Sequence, residues 1–345
     1  MASLIETCED WARENPGRVV FADAMDQRVI EAAHDLSRRA LAKPILLANP
    51  MALRDHCLEK GIGFSGLRVL DPANSPRMES YAAKLCELRP EMSEQDARVK
   101  LQDPLWFGAM MLVCGDADYC IAGNLSSTAS VLRAALRVVG LSKGNKTLSS
   151  MFFMLPPDRS RVLAFGDCGV VPKPTVEQLA DIAISTADTF YKVTGEESRV
   201  AMLSFSTLGS AKHESSDFVV QATALAKARR PDLLIDGELQ FDAAFVPAIA
   251  ARKAPDSPVA GRANVFIFPS LSEGNIAYKI AERMGGYTAL GPMIQGLKHS
   301  LHDLSRGCSA TDILEVTLLA MKMAPAQEGR ISPSTATSAS GTGIS

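Results

Sequence analysis

The stretch VFIFPSLSEGNIAYKIAERM, residues 265–284, decides the fold. It opens on four apolar residues, Val265 to Phe268, rich in β-branched and aromatic side chains. A short continuous run of this kind fits a strand buried on both faces. Pro269 and Ser270 end it. A loop through Ser272, Glu273, Gly274 and Asn275 then leads into a helix carrying Lys279 and Arg283 four residues apart on one face. Gly274 would let backbone approach a ligand closely. On these residues alone, the stretch is either a binding loop or a plain strand–loop–helix joint with a solvated basic pair.

The same unit recurs outward in both directions. Apolar runs at 18–22, 44–48, 67–70, 119–122, 151–155, 162–165, 200–204 and 233–236 read as further strands. Amphipathic stretches lie between them. Residues 25–41 set Val29, Ile30, Ala33 and Leu41 toward one side and Arg28, His34 and Arg38 among the polar positions. Residues 175–191 open on a Pro-Thr start, a helix N-terminus signal. Strand and helix in alternation predict an α/β protein with mostly parallel sheets. At 345 residues the chain is long enough for two domains. Residues 326–345 are Ser-, Thr-, Gly- and Ala-rich and are expected to be disordered.

Composition excludes several classes. The formal net charge is −3, which argues against nucleic acid or an anionic membrane as partner, since either needs a basic excess. No stretch approaches the ~20 apolar residues of a membrane span. Residues 1–18 carry early acids and no apolar centre, so no signal peptide is expected. The seven cysteines are irregularly spaced without a C-x-x-C pair, which fits a reducing compartment and a cytoplasmic protein.

Familiar motifs are mostly absent. GLSKGNKT at 140–147 nearly makes a phosphate-binding loop, but Asn145 stands where the second glycine belongs and the preceding 130–139 look helical. It reads as a turn between domains. No G-x-G-x-x-G follows the first strand. His299 and His302 sit three apart, but with no third ligand they read as two partly exposed helix histidines, and no metal is expected.

Two further segments follow the strand pattern into chemistry. AGNLSSTASVLRAALR, 122–137, offers Ser126, Ser127 and Thr128 at a helix start, where free N–H groups favour anions, with Arg133 on the first turns. On those residues alone an ordinary hydroxyl cap plus a surface arginine is the favoured reading. LHDLSRGCSATDILEVTLLAM, 301–321, places Ser305 and Arg306 before Gly307, and Ser309 to Asp312 match the S-x-x-D capping pattern. Asp312 thus reads as a capping acid or a general base.

In this order, the segments resemble the phosphate acetyltransferase (phosphotransacetylase) family. The resemblance runs from about Arg18 to Met323. It is carried by FPSLSEGNIAYKIAERMGG (268–286), GPMIQGL (291–297) and DLSRGCSATDI (303–313), with support from SFSTLGSAKHESS (204–216), DGELQFDAAF (236–245) and SSTASVLRAAL (126–136). It implies two α/β/α domains with an active-site cleft between them. Residues 1–145 and 297–325 would form the first domain and 146–296 the inserted second. A homodimer is implied, with no bound cofactor; CoA, acetyl-CoA, acetyl phosphate and phosphate are the substrates.

Roles follow where residues match. Asp312 matches the general base for the CoA thiol, and Ser305 and Arg306 match the pair that positions thiol and substrate. Arg133 matches the arginine on the acyl phosphate, beside Ser127 and Thr128. Arg89 and Arg283 match arginines that contact CoA. After Arg89 the sequence departs from the family's basic pattern, with Pro90, Glu91 and Met92. Val171 stands where an asparagine is usual and Ser270 where an acid is common.

The chemistry implied is direct attack in a ternary complex. A thiol near 8.5 and an aspartate near 3.9 make the proton transfer uphill by roughly 6 kcal/mol. A desolvated base or a cation beside the thiolate must offset this. A covalent acyl-enzyme through Ser305 or Cys308 is the chemical rival. A butyryl-type acyltransferase, a non-catalytic acetyl-CoA sensor and a nicotinamide dehydrogenase are the rival functions.

Overall fold

A computed structural model describes residues 3–324. Among the described residues eleven strands form two sheets. The first has β1 (Gly17–Phe21), β2 (Ala42–Leu47), β3 (Arg68–Leu70), β4 (Tyr119–Ala122) and β11 (Ser300–Asp303), in the order β11-β4-β1-β2-β3 and parallel throughout. The second has β5 (Ser149–Leu155), β6 (Leu163–Gly166), β7 (Arg199–Leu203), β8 (Leu234–Leu239), β9 (Val265–Ile267) and β10 (Thr288–Gln295), in the order β10-β5-β6-β9-β7-β8. It is parallel across β6, β9, β7 and β8 and antiparallel where β5 meets β6 and β10. All nine strands expected from apolar runs are present.

Local chemistry sets the helix ends. Asn49 caps the helix Pro50–Lys60, whose first residue is the proline that tolerates a missing N–H there. Thr175 and Gln178 form a reciprocal capping box on Val176–Thr194, and Gly195 ends that helix in the left-handed conformation. The helix Gln27–Arg38 buries Val29, Ile30 and Ala33, and Leu41 just beyond it is also buried, as the periodicity requires.

Two chain crossings join the sheets, and they run side by side. Leu141 bridges Leu297, Ser142 N–H donates to the Gly296 carbonyl at 2.9 Å, and Lys298 N–H donates to the Gly140 carbonyl at 3.0 Å. The 140–147 segment is therefore a crossover turn. The last helix, Ala310–Met323, contacts Leu4–Glu14 and Gln27–Arg38 on one side and Val176–Thr194 and β10 on the other. Its apolar residues join one core that runs from Val19 and Phe21 to Met151 and Phe153.

Three expectations are corrected. His302 lies on β11, not on a helix, and is 1% exposed; His299 lies in the bend before that strand. A short parallel strand, rather than a helix, fills the space beside β4. The helix after β9 begins at Leu271, so Ser272 to Asn275 are helical. Gly274 serves packing and not a ligand: a Cβ there would collide with the Asp167 carbonyl oxygen. The expected disorder of 326–345 lies outside the described residues. Among the described residues no helix is long and apolar enough to cross a membrane.

Candidate active site

β1, β4 and β11 are neighbours, so the loops after their carboxyl ends meet. Open parallel sheets bind ligands at such ends. β1 runs into Asp23, β4 into Gly123 and Asn124, and β11 ends on Asp303 before Leu304, Ser305 and Arg306.

Asp23 gathers the loop after β4. Its carboxylate accepts Gly123 N–H at 2.7 Å, Ser126 Oγ–H at 2.6 Å, and the Leu125 and Ser126 N–H groups at 3.3 Å. Gly123 has φ +111° and presses on Asp303 Oδ1 and the Leu304 backbone, where any Cβ would collide. Asn124 is buried, and its amide faces Asp26 without reaching hydrogen-bond geometry.

The helix Thr128–Ala134 starts here. Ser127 is its N-cap, accepting from Ser130 N–H at 3.2 Å. Thr128 Oγ1 donates to Asp303 Oδ2 at 2.7 Å, tying the loops after β4 and β11 together. Arg133 and Arg306 are exposed on the elements that follow these two strands. Neither guanidinium has an ion-pair partner among the described residues, so both are free for an anion.

The Ser305–Arg306 loop is strapped from outside. Arg28 Nη1 donates to the carbonyls of Arg306 at 2.9 Å and Cys308 at 2.6 Å. Asp26 grips the same guanidinium at 2.6 Å. Cys308 N–H donates to the Ser305 carbonyl at 3.0 Å, closing a turn that leaves the Ser305 side chain exposed. Burial pushes the Cys308 thiol up to about 11, with Arg28 opposing, so it stays protonated at neutral pH. That disfavours Cys308 as a nucleophile.

Asp312 stands at the third position of the helix Ala310–Met323. Its Oδ2 accepts from Ser309 N–H at 2.8 Å and Ser309 Oγ–H at 2.9 Å, while Asp312 N–H donates to Ser309 Oγ at 3.1 Å. The capping box read from the sequence is formed in full. Both bonds to the carboxylate fall on one oxygen, and Oδ1 accepts no hydrogen bond among the described residues. The capping role therefore leaves one oxygen for chemistry.

The remaining two arginines sit apart from this cluster. Arg89 spends its guanidinium on the Arg137 carbonyl at 2.7 Å and the Leu136 carbonyl at 2.9 Å, at the end of the π-helical turn Ala135–Val139. Arg283 is exposed at the end of Leu271–Arg283, 3.4 Å from Glu282. Asp303, Asp23 and Arg28 were not singled out in the sequence. For the two aspartates the available signal was a charged residue at the end of a strand of a parallel sheet.

A Ser-Arg loop and free arginines at a parallel sheet's carboxyl ends suit an anionic substrate, and the relatives make the chain an acyltransferase. Residues 3–321 match the family model described as phosphate acetyl/butaryl transferase, and the chain belongs to that family. It is 42% identical over 323 residues to a phosphate acetyltransferase of Acetivibrio thermocellus, covering 92% of this chain and 97% of that one. It is 40% identical over 320 residues to one of Bacillus subtilis, covering 92% and 98%. A crystal structure of a phosphotransacetylase from Streptococcus pyogenes superposes with a TM-score of 0.88 at 38% identity, covering 92% and 97%. The resemblance read from the motifs is borne out.

Proposed function

We propose that this chain is a phosphate acetyltransferase, interconverting acetyl phosphate plus CoA with acetyl-CoA plus phosphate. The observation that carries this is the pair of unpaired arginines, Arg133 and Arg306, on the joined segments after β4 and β11. A planar guanidinium binds two phosphoryl oxygens at once. Acetyl, rather than a longer acyl group, rests on the relatives' names.

The reaction proceeds by direct attack in a ternary complex. Ser127, Thr128 and Arg133 hold the phosphoryl group. Ser305 orients the CoA thiol, and the free oxygen of Asp312 takes its proton. The thiolate's electron pair forms the C–S bond, and the C–O bond to phosphate breaks with its pair leaving on phosphate. Arg306 offsets the roughly 6 kcal/mol cost of proton transfer by stabilising thiolate and carbonyl oxygen. Arg89 and Arg283 take CoA phosphates, which for Arg89 requires release of its two carbonyls.

The domain partition, 1–145 with 297–325 and 146–296, is supported by the paired crossings at 141 and 297. Exposed Phe205, Leu208, Phe241 and Val246 support a homodimer. Seven free cysteines fit a cytoplasmic setting.

The test is thioester formation from acetyl phosphate and CoA. Asp312→Asn is expected to lower kcat by about 10²- to 10⁴-fold. Full activity in that variant sinks the general-base role. Faster turnover of butyryl phosphate moves the acyl assignment, and acetyl-CoA binding without turnover in the wild type makes the chain a sensor.

A further inference from the structure

Two buried carboxyls flank Gly123, and their hydrogen bonds differ. Asp23 accepts from four donors, three of them backbone N–H groups that can only donate. That arrangement holds an anion. Asp303 receives one bond, from Thr128 Oγ1. Its other oxygen is sealed in a residue 1% exposed and has no partner among the described residues, the nearby Leu304 N–H standing outside bonding geometry. An ionised carboxylate in that position would be a buried charge beside a second one.

We propose that Asp303 is a proton-carrying positioning residue that couples phosphoryl binding to proton uptake through Thr128. Protonated, Asp303 donates to Thr128 Oγ1 and turns the Thr128 hydrogen toward a phosphoryl oxygen. Ionised, it claims that hydrogen and sets a buried negative charge against the incoming anion. This rests on the reading of Thr128 as a phosphate contact. The proton comes from solvent on binding and returns on release, with no covalent change. By reciprocity, phosphoryl binding favours the protonated form as much as protonation favours binding.

The surroundings suit the role. Asp23 lies across Gly123, Arg306 follows three residues on, and His302 on the same strand is held neutral by burial. Burial pushes Asp303 up to about 6; Thr128 and Arg306 oppose the rise and Asp23 adds to it. Titration therefore falls next to neutrality.

The experiment is the KM for acetyl phosphate between about pH 6 and 8, measured on the full chain. In the wild type it is expected to rise toward tenfold per pH unit above the titration. Asp303→Asn presents an N–H to Thr128 at every pH, so its KM should vary by less than about twofold. A kcat loss in that variant with the KM slope retained would mark a merely structural carboxyl and overturn the proposal. Thr128→Val separates the two readings. An unchanged KM there removes the phosphate assignment itself; a raised KM with an unflattened Asp303→Asn profile removes only the coupling. Should Asp303→Asn fail to fold, calorimetry of acetyl phosphate binding to wild type, without CoA, in two buffers of different ionisation enthalpy decides. Uptake approaching one proton at about pH 7.5 supports the proposal, and no uptake overturns it.

Discussion

The carboxyl ends of the two sheets are topologically equivalent and chemically opposite. Beyond β6, Asp167 is buried like Asp23, and its carboxylate accepts Ser150 N–H, Ser150 Oγ–H and the N–H groups of Gly169, Val170 and Val171. Glu238 on β8 likewise takes Ser206 Oγ–H and Gly209 N–H at 2.8 Å each. Asp167 accepts on both of its oxygens, whereas both bonds to Glu238 fall on Oε1. The concavity beside them, about 980 Å³, is lined by Phe205, Phe218, Phe241 and Phe268. At the first sheet, saturation stops at Asp23: Asp303 keeps an unpartnered oxygen, and Arg133 and Arg306 are free. A similar carboxylate trick organises the loops of both, but among the described residues only the first sheet's loops leave a buried carboxylate oxygen unpartnered.

The comparison breaks most readily at Asp167. Asp167→Ala leaves its backbone N–H donors unpartnered, at ~1–3 kcal/mol each, so a loss of at least about 3 kcal/mol in urea unfolding is expected. The acetyl phosphate KM of the folded enzyme should not move. A KM rise comparable to that of Thr128→Val would mean the second sheet also touches the phosphoryl group.

The join between the sheets comes next. Ile294 N–H on β10 donates to His302 Nδ1 on β11 at 3.1 Å, and Nε2 meets Ser300 Oγ at 2.8 Å. Nδ1 must accept, so the ring is neutral, and burial holds it down at about 3. Between about 6.5 and 3 the unfolded chain binds the extra proton, so this group's stability is present above 6.5 and lost as pH falls. The expected loss at pH 5 is about 2 kcal/mol. Asp303 has the opposite sign: with its value raised to about 6, the stability it carries below about 4 is lost as pH rises to about 6. The measurement is therefore the difference in urea midpoint between wild type and His302→Gln at pH 7.5 and 5. A pH-independent difference would show that His302 carries no such linkage.

The smallest effect sharpens the active loop. Ser309→Ala removes the cap of Ala310–Met323 and should cost about 1 kcal/mol of stability. No loss would place the box's strength in Asp312 alone.

Most of the fold was legible because buried parallel strands are continuous apolar runs. β10 and β11 were not. β10 follows Gly285-Gly286 and contains Gly291-Pro292 with a register shift between Leu290 and Met293. Glycine and proline read as breaks in a strand. β11 is Ser-Leu-His-Asp, with three polar residues that belong to the join and the candidate site rather than to a pattern. The site was legible where it coincided with capping chemistry, as at Ser127, Ser309 and Asp312. Asp303 escaped because its strand escaped, and Arg28 because its targets are backbone carbonyls 278 and 280 residues away.

The placement of β11 also sets an order of events during synthesis. β4 lies between β1 and β11, so until the chain has passed Asp303 the apolar run Tyr119–Ala122 is an open sheet edge. Roughly 180 residues, including the whole second sheet, are made in between; at ~5–20 residues per second that is about 10–40 s. The nascent protein thus carries an open apolar edge through about half of its elongation. The strand that finally covers it brings Asp303, Ser305 and Arg306 into place in the same step, so the candidate site and protection from aggregation arrive together.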